Sequence, residues 1–264
     1  MLTFPQIDPV IFSIGPLQVR WYGLMYVLGF AASLLLVRYQ IKKFGFKELA
    51  IHFENLNLVL IISLVLGGRL GYVLFYNLPY YLNHPAEIMA TWQGGMSFHG
   101  GMLGLIIGAV IFCRIKKLDF WRTADFYVVT IPIGLGLGRI GNSINGELYG
   151  RVTDKPWGMV FPGGGPLPRH PSQLYESFLE GLILFLVLWI FKEKQQPPSS
   201  WPSGVMVALF FIFYGVFRFG VEFFREPDVH LGLIAMGMTM GQLLSSLMIV
   251  AGVVLTLVRK KQTA

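Results

Sequence analysis

The sequence predicts an all-α polytopic membrane protein with seven transmembrane helices and a small outer-face lobe, and three observations support this fold class. Apolar residues make up 54% of the 264 residues and charged residues only 13%, about half of the charged share of a typical soluble domain. The mean hydropathy is +0.60. The apolar residues also gather in stretches of about 20 residues, the helix length that crosses about 30 Å of hydrocarbon.

Seven such stretches follow one another along the chain. Their approximate bounds are 20–37, 57–77, 97–113, 125–142, 174–191, 204–223 and 235–258. The fourth and sixth stretches contain Arg139 and Arg218, two charged side chains inside apolar sequence. We therefore expect residues 1–264 to form a single integral membrane domain.

The distribution of lysine and arginine predicts the orientation of the chain. Thirteen of the 21 basic residues follow the first, third, fifth or seventh span: Arg38, Lys42, Lys43, Lys47, Arg114, Lys116, Lys117, Arg122, Lys192, Lys194, Arg259, Lys260 and Lys261. These segments share one side of a seven-span chain, and the positive-inside bias makes that side cytoplasmic. The N-terminus is therefore expected in the periplasm and the C-terminus in the cytoplasm. The net charge of +7 then indicates a lipid bilayer as partner and no nucleic acid.

A polar connection over residues 143–173 predicts a small folded lobe. It is rich in residues that favour turns, namely Pro156, Pro162, Gly163, Gly164, Gly165, Pro166, Pro168 and Pro171. With the orientation above, this lobe is periplasmic and is inserted between spans four and five.

Charged and polar side chains inside the apolar stretches predict where the functional site lies. A charged side chain at the middle of a span costs about 2.5–3.5 kcal/mol on insertion scales, so such residues usually face a bundle interior or a watery cavity. Five motifs carry them: Gly67-Gly68-Arg69-Leu70-Gly71-Tyr72, Gly94-Gly95-Met96-Ser97-Phe98-His99-Gly100-Gly101, Gly138-Arg139-Ile140-Gly141-Asn142-Ser143-Ile144-Asn145-Gly146-Glu147, Arg169-His170-Pro171-Ser172-Gln173-Leu174-Tyr175-Glu176, and the segment from Tyr214 to Arg225. Four of the five lie toward the predicted outer leaflet, and Arg69 can also reach outward.

The spacing of the last motif predicts one polar helix face. Tyr214, Arg218, Glu222 and Arg225 fall at positions i, i+4, i+8 and i+11, which share a side of an α-helix. Glu222 can then partner either arginine. Taken alone, the pair of Arg218 and Glu222 could equally be a structural ion pair, and His99 could be a hydrogen-bonded interfacial histidine.

The residue types point to chemistry on a phospholipid head group. Arginine recognises phosphate with a planar fork of donors and keeps its charge when partly buried. An imidazole can move a proton near neutral pH. An enzyme acting on a phospholipid at the outer face fits these features. A lipid or organic-anion transporter and an intramembrane hydrolase remain alternatives, although no inverted repeat relates the two halves of the chain.

Taken with Arg20-Trp21-Tyr22-Gly23, these motifs resemble those of the bacterial prolipoprotein diacylglyceryl transferase family over almost the whole length of the chain. The resemblance rests on the motif around Arg69, on His99-Gly100-Gly101, on Gly138-Arg139-Ile140-Gly141-Asn142 with Asn145-Gly146-Glu147, on His170-Pro171-Ser172-Gln173-Leu174-Tyr175-Glu176, and on the face from Tyr214 to Arg225.

The resemblance implies an enzyme of the bacterial inner membrane that catalyses the first step of lipoprotein maturation. It moves the sn-1,2-diacylglyceryl group from phosphatidylglycerol to the lipobox cysteine thiol of a prolipoprotein signal peptide, forming a thioether and releasing glycerol-1-phosphate. No metal and no organic cofactor are implied. By the same resemblance, His99 is the general base, and Arg139 and Arg218 bind the head group and stabilise the leaving phosphate. Substrate contacts are expected from seven further residues: Tyr22, Arg69, Asn142, Glu147, Tyr214, Glu222 and Arg225.

Overall fold

The structure, a computed structural model, describes residues 2–15, 17–91, 94–195, 201–226 and 237–261. Within these ranges the chain forms ten α-helices and one two-stranded sheet. It divides into two compact units. The first unit contains the described residues up to Gln40 and from Ala124 onward, and the second contains Ile41–Thr123.

An antiparallel hairpin precedes the helices. Strand β1 (Val10–Ile14) pairs with β2 (Leu17–Arg20), and the first helix follows β2 without a connecting loop. The helices in chain order are α1 (Trp21–Phe44), α2 (Lys47–Tyr76), α3 (Leu78–Asn83), α4 (Phe98–Lys116), α5 (Phe120–Val128), α6 (Ile131–Asn145), α7 (Ser172–Glu176), α8 (Leu184–Phe191), α9 (Val205–Val221) and α10 (Met240–Lys261).

Five helical segments are long and apolar enough to cross a membrane. They are Trp21–Phe44, Lys47–Tyr76, Phe98–Lys116, Ser172–Gln195 and Met240–Lys261, and they match the first, second, third, fifth and seventh predicted spans. The predicted multi-pass helical architecture is therefore confirmed. The sixth predicted span corresponds to the shorter apolar helix α9, of 17 residues. The first residues of the seventh prediction, 235–236, lie outside the described residues.

The fourth predicted span differs from the continuous helix expected over 125–142. The structure has two helices there, α5 and α6, separated by a turn at Val129 and Thr130. Pro132 lies in the first turn of α6, where a missing N–H costs nothing. In a continuous helix the same proline would leave the carbonyl oxygen of Val128, four residues earlier, without an N–H donor, and its ring would clash with that carbonyl group. The Thr130 hydroxyl donates a hydrogen bond to the carbonyl oxygen of Tyr127 at 2.7 Å. The prediction of seven full-length spans thus stays a prediction for the fourth and sixth.

The fifth predicted span is a single long helix with an irregular middle. A π-helical segment, Ser177–Ile183, joins α7 to α8, and a 3₁₀ turn, Lys192–Gln195, ends it. The π segment packs closely on α6, because a Cβ on Gly181 would lie 2.6 Å from the Cα of Gly136. The Ser177 hydroxyl also donates to the carbonyl oxygen of Gly136 at 3.0 Å. π segments inside α-helices are frequent at functional sites.

The start of α9 is fixed by a buried carboxylate of α5. Asp125 is fully buried, and its two oxygens accept hydrogen bonds from the backbone N–H groups of Gly204 at 2.6 Å and Val207 at 3.0 Å. The first turn of a helix leaves such N–H groups without acceptors in the helix itself, and the Asp125 carboxylate is the acceptor here. An apolar core lies in the same unit and contains six buried residues: Val128, Val129, Leu184, Leu188, Met206 and Phe210.

The second unit is built on the close packing of α2 against α4. Small residues line both helices at the contact, since a Cβ on Gly67 would lie 2.8 Å from the Cα of Gly104, and one on Gly71 would lie 2.7 Å from the Cα of Gly100. Small residues let helix backbones approach closely in membranes, where van der Waals contact contributes much of the association.

Gly67→Ala is therefore expected to destabilise the protein by about 1–3 kcal/mol, the usual cost of overpacking. The added methyl group would meet the backbone of α4, which cannot yield as a flexible side chain can. Thermal unfolding in detergent measures the effect. Gly23→Ala is the matched control, because a Cβ on Gly23 would meet nothing within 4 Å. Equal unfolding midpoints for the two variants would contradict the packing argument.

Candidate active site

One buried carboxylate gathers three arginines in the first unit. Glu176 is fully buried; its Oε2 lies 2.5 Å from Nε of Arg139, and its Oε1 lies 2.5 Å from Nη1 of Arg218 and 3.2 Å from Nη1 of Arg225. The arginine side chains are 12–22% exposed. Three guanidinium groups therefore converge on one point that is largely shielded from solvent.

Separate elements bring these side chains together. Arg139 lies on α6, Glu176 ends α7, and Arg218 lies in the last turn of α9. The fixed contact between α6 and the π segment, at Gly136 and Gly181, sets the distance between Arg139 and Glu176. The site thus depends on packing between segments that are far apart in the sequence.

Arg225 does not share the helix face predicted for it. Helix α9 ends at Val221, and Arg225 forms an isolated antiparallel bridge with Gly150. Gly150 leaves room for this approach, since a Cβ there would clash with the backbone carbonyl oxygen of Phe224, the residue before Arg225. The helical spacing that suggested Arg225 is therefore wrong, but its side chain still reaches Glu176 from the loop.

The predicted pairing of Arg218 with Glu222 is confirmed. Nη2 of Arg218 lies 2.9 Å from Oε2 of Glu222, one helical turn away. The other Glu222 oxygen, Oε1, accepts a hydrogen bond from the hydroxyl of Thr239 at 2.9 Å. On α10, Gly241 leaves space for this carboxylate, since a Cβ there would lie 2.6 Å from its oxygens. Arg218 is thereby held from two sides, by Glu176 and by Glu222.

Asn142 and Glu147 meet at the end of α6. The Asn142 side-chain amide donates to Oε1 of Glu147 at 2.8 Å, and the Asn145 amide donates to the same oxygen at 3.0 Å. Gly146 ends the helix with φ of +67°, which glycine adopts without strain. Tyr22 packs on α6 beside them, since a Cβ on Gly141 would lie 2.8 Å from its ring. The structure thus brings together three of the predicted substrate contacts close to Arg139.

Tyr214 and Glu180 complete the cluster. Tyr214 lies one turn before Arg218 on α9, stacks on Phe210 with ring centroids 5.5 Å apart, and interacts electrostatically with Glu180. Glu180 lies in the π segment, is 1% exposed, and has its Oε1 3.9 Å from Nη1 of Arg218.

A hydrogen-bonded aromatic group packs on Phe224, the residue before Arg225. The indole N–H of Trp157 donates to the Tyr175 hydroxyl at 2.8 Å, and this hydroxyl lies 3.0 Å from Nδ1 of His170. Burial lowers the pKa of His170 below its usual value, and the nearby Lys155 lowers it further. The Tyr175 hydroxyl, which accepts from Trp157, can then donate a hydrogen bond to Nδ1 of His170. These two contacts join the connection that follows α6, which contains Trp157 and His170, to Tyr175 of α7.

Arg69 lies in the second unit and is 3% exposed. Its guanidinium donates to backbone carbonyl oxygens: Nε to Ile88 at 2.7 Å, Nη1 to Gly94 at 2.6 Å and Gly95 at 3.1 Å, and Nη2 to Glu87 at 2.7 Å. Each of its three nitrogens therefore donates to the loop before α4, which contains a 3₁₀ turn, Pro85–Met89.

His99 lies in the first turn of α4, also in the second unit. Ser97 caps this helix, because its hydroxyl oxygen accepts a hydrogen bond from the N–H of Gly100 at 3.1 Å. The backbone N–H of Ser97 donates to the carbonyl oxygen of Gly68 at 2.8 Å. His99 is exposed and packs edge-on against Phe98. The Ser97 cap and the hydrogen bond from Ser97 to Gly68 of α2 together fix the backbone position of His99.

Sequence reasoning missed the residue at the centre of the site. The sequence places Glu176 at the end of the fourth polar motif but assigns it no role in the site, and Glu180 lies outside all five motifs. The available signal was the presence of two carboxylates inside an apolar span, since an ionisable residue there usually has a function and a partner.

The charges of the site balance without a substrate. Six ionisable side chains form what we call the arginine–glutamate cluster: Arg139, Glu176, Glu180, Arg218, Glu222 and Arg225. Among the described residues, no hydrogen bond or ion pair involves the two terminal nitrogens of Arg139, which is ion-paired through Nε. A planar pair of N–H donors is thus available for an anion such as a phosphate.

Glu176→Gln is expected to destabilise the protein by about 3–5 kcal/mol, because removing one charge from a buried ion pair leaves its partners uncompensated. The measurement is the thermal unfolding midpoint in detergent. Glu226→Gln serves as control, since Glu226 pairs with Arg169 at 2.9 Å with 44% of its side chain exposed, and exposed pairs contribute about 0–1 kcal/mol. A Glu176→Gln midpoint equal to that of the control would show that Glu176 does not hold the arginines together.

Comparison with known proteins identifies relatives over nearly the whole chain. The family model described as prolipoprotein diacylglyceryl transferase matches residues 9–258. The phosphatidylglycerol–prolipoprotein diacylglyceryl transferase of Desulfotalea psychrophila is 62% identical over 254 residues, which cover 96% of this chain and 93% of the relative. The enzymes of the same name from Geobacter sulfurreducens and Bordetella avium are 54% and 53% identical. Their alignments cover 95% of both chains for the first, and 100% of this chain and 99% of the relative for the second.

Proposed function

Since the chain belongs to the prolipoprotein diacylglyceryl transferase family and is a multi-pass membrane transferase, we propose that it moves the sn-1,2-diacylglyceryl group of phosphatidylglycerol to the lipobox cysteine of a prolipoprotein signal peptide. A thioether forms and glycerol-1-phosphate leaves. The relatives named above carry both substrates in their names.

The observation that carries this proposal is the convergence of three arginines on Glu176. The leaving phosphate gains negative charge as the bond to the glyceryl carbon breaks, and fixed cations in a water-poor site stabilise that charge. Arg139 offers its two terminal nitrogens, while Arg218 is held in place by Glu176 and Glu222. We assign the head-group phosphate to these two arginines, with Arg225 as a third cation beside it.

The acceptor thiol must lose its proton, because the thiolate is the nucleophile. We assign this step to the imidazole of His99, the predicted general base. Tyr22, Asn142, Glu147 and Tyr214 are assigned to the walls of the lipid site. For Arg69, the backbone contacts favour a role in holding the loop before α4 instead of the predicted contact with substrate.

The decisive experiment combines the purified protein, phosphatidylglycerol and a synthetic lipobox peptide. The transferase reaction gives a lipid-modified peptide and an equimolar amount of glycerol-1-phosphate. A peptide in which serine replaces the lipobox cysteine is the control and should remain unmodified. Release of glycerol-1-phosphate without modified peptide would indicate hydrolysis and would refute the proposal.

We further propose that the lipid head-group site opens toward the periplasmic leaflet of the bacterial inner membrane. The thirteen clustered basic residues support this proposal, because the positive-inside bias favours a periplasmic N-terminus and a cytoplasmic C-terminus. Residues 143–173 then form a periplasmic lobe, within which Val152 and Met159 both bridge to Arg169.

This topology predicts the behaviour of a reporter enzyme that is active only in the periplasm. Fused after Ala264, the reporter is expected to be inactive, and fused after Gly165 it is expected to be active. Immunoblots of both fusions control for expression. An active Ala264 fusion would show that the orientation is the opposite of the one proposed.

A further inference from the structure

We propose that Glu180 is a further catalytic residue, the acid that gives a proton to the phosphate as it leaves. The inference rests on the proposed function, because it concerns the same lipid and the same arginines.

Glu180 stands out among the buried carboxylates of the cluster. Its side chain is 1% exposed, and within the described ranges neither of its oxygens has a hydrogen-bond partner. Burying an ionised carboxylate without hydrogen bonds is costly, whereas a protonated carboxyl is far less so. A buried acid with no donor within hydrogen-bond distance is therefore suited to hold a proton.

The charges that face Glu180 favour the same conclusion once a lipid enters. Glu176 precedes it by one turn, Arg139 faces it from α6, and the segment from Tyr214 to Arg225 contributes a phenol, Arg218 and Arg225. Glu222 lies behind Arg218. The three arginines balance the three glutamates, so an anionic head group would leave one uncompensated negative charge in a buried site. Uptake of one proton removes this imbalance, and Glu180 is the carboxylate that accepts no hydrogen bond at either oxygen.

The position of Glu180 suits proton transfer to a phosphate. Nη1 of Arg218 lies 2.5 Å from Oε1 of Glu176 and 3.9 Å from Oε1 of Glu180. A phosphate oxygen bound by Arg218 on the Glu180 side would come within hydrogen-bond distance of that carboxyl group. Glu180 lies in the π segment four residues after Glu176, and both carboxylates lie on the side of the helix that faces Arg218.

The resulting step balances in atoms and charge. The sulfur of the substrate thiolate forms a bond to the glyceryl carbon, and the bond from that carbon to the phosphate oxygen breaks with its electron pair left on oxygen. The proton of Glu180 moves to the phosphate, so that glycerol-1-phosphate leaves as a monoanion. The thiol proton resides on His99 and returns to solvent, and Glu180 takes up a new proton when the next anionic head group binds.

The test uses the full-length protein and two readouts, one of which does not depend on activity. Infrared difference spectra are recorded on binding a diether analogue of phosphatidylglycerol, which has no ester carbonyl. The carbonyl stretch of a protonated carboxyl group is expected in the wild type and absent in Glu180→Gln. In the transfer assay, Glu180→Gln is expected to lower kcat by about 10²–10⁴-fold with KM for the lipid changed less than about threefold, whereas Glu222→Gln should act mainly on KM.

Two results would overturn the proposal: a carboxyl band that persists in Glu180→Gln, or a kcat of that variant close to the wild-type value. If Glu180→Gln does not fold, Glu180→Asp is measured in its place, because aspartate keeps a carboxyl group on a shorter side chain. It should keep a shifted carboxyl band and a reduced kcat, and an unshifted band with full kcat would refute the role. A wild-type protein that forms no thioether would instead refute the proposed function, while the band would still report on Glu180.

Discussion

Arg139→Lys and Arg218→Lys are each expected to lower kcat/KM of the transfer by about 10²–10³-fold, the usual cost of removing one preorganised donor from a transition-state site. Lysine keeps the positive charge but replaces the planar fork of donors with a single ammonium group. For Arg139 the substitution also removes the Nε contact with Glu176 while the terminal donors are lost.

The two substitutions should differ in their effect on stability. Arg218 contacts Glu176 and Glu222 through different nitrogens, and one ammonium group cannot reproduce both contacts. Arg218→Lys should therefore lower the thermal unfolding midpoint more than Arg139→Lys. Membrane insertion and yield are compared in parallel, so that a loss of activity is not confused with a loss of protein.

Arg114→Lys is the matched control, since Arg114 is an exposed arginine in the last turn of α4. Its activity should equal that of the wild type. If either site variant retained wild-type kcat/KM, a bidentate contact between that arginine and the leaving phosphate would be excluded.

Local spacing in the sequence was sufficient for contacts within one helix. Arg218 and Glu222 are four residues apart, and such residues are neighbours on any α-helix whatever the rest of the fold does. The same reasoning failed for Arg225, because it assumed that the helix continues beyond Val221. The bridge with Gly150 that holds Arg225 joins residues 75 positions apart, and periodicity carries no information on such a pairing.

Contacts between segments that are far apart in the sequence could likewise not be predicted. Glu176 lies 42 residues before Arg218 along the chain, and their contact depends on how α7 packs against α9. The sequence identified both as charged residues within apolar stretches but could not show that one carboxylate binds three arginines. The π segment could not be predicted either, because no residue of Ser177–Ile183 distinguishes it from an α-helix.

The interruption of the fourth span shows a different limit. The hydropathy of residues 125–142 is continuous, so a criterion based on apolar length predicts one helix. Pro132 lies inside this stretch, and the structure has it in the first turn of α6. Hydropathy reports where a segment prefers to lie, whereas proline and hydroxyl groups such as that of Thr130 determine where the helix can begin.

His99→Gln is expected to slow the transfer by about 10²–10⁴-fold near neutral pH, the usual contribution of a general base. Glutamine keeps some hydrogen-bonding capacity but cannot accept the thiol proton. Because Ser97 caps α4 through its own side chain and backbone, the substitution should leave the helix start in place. The thermal unfolding midpoint should accordingly be close to that of the wild type.

The pH dependence separates His99 from the arginines. The acceptor thiol has a free pKa of about 8.5, so raising the pH from about 7 to 9 supplies thiolate without a base. The rate of His99→Gln should therefore rise toward that of the wild type over this range. The rates of Arg139→Lys and Arg218→Lys should show no comparable rise, because binding of the phosphate does not require removal of the thiol proton. The measurement is a pH–rate series for the three variants with one lipobox peptide. A His99→Gln rate that stays low and flat up to about pH 9, or that equals the wild-type rate throughout, would exclude His99 as the base and assign it to positioning of the lipid or the peptide.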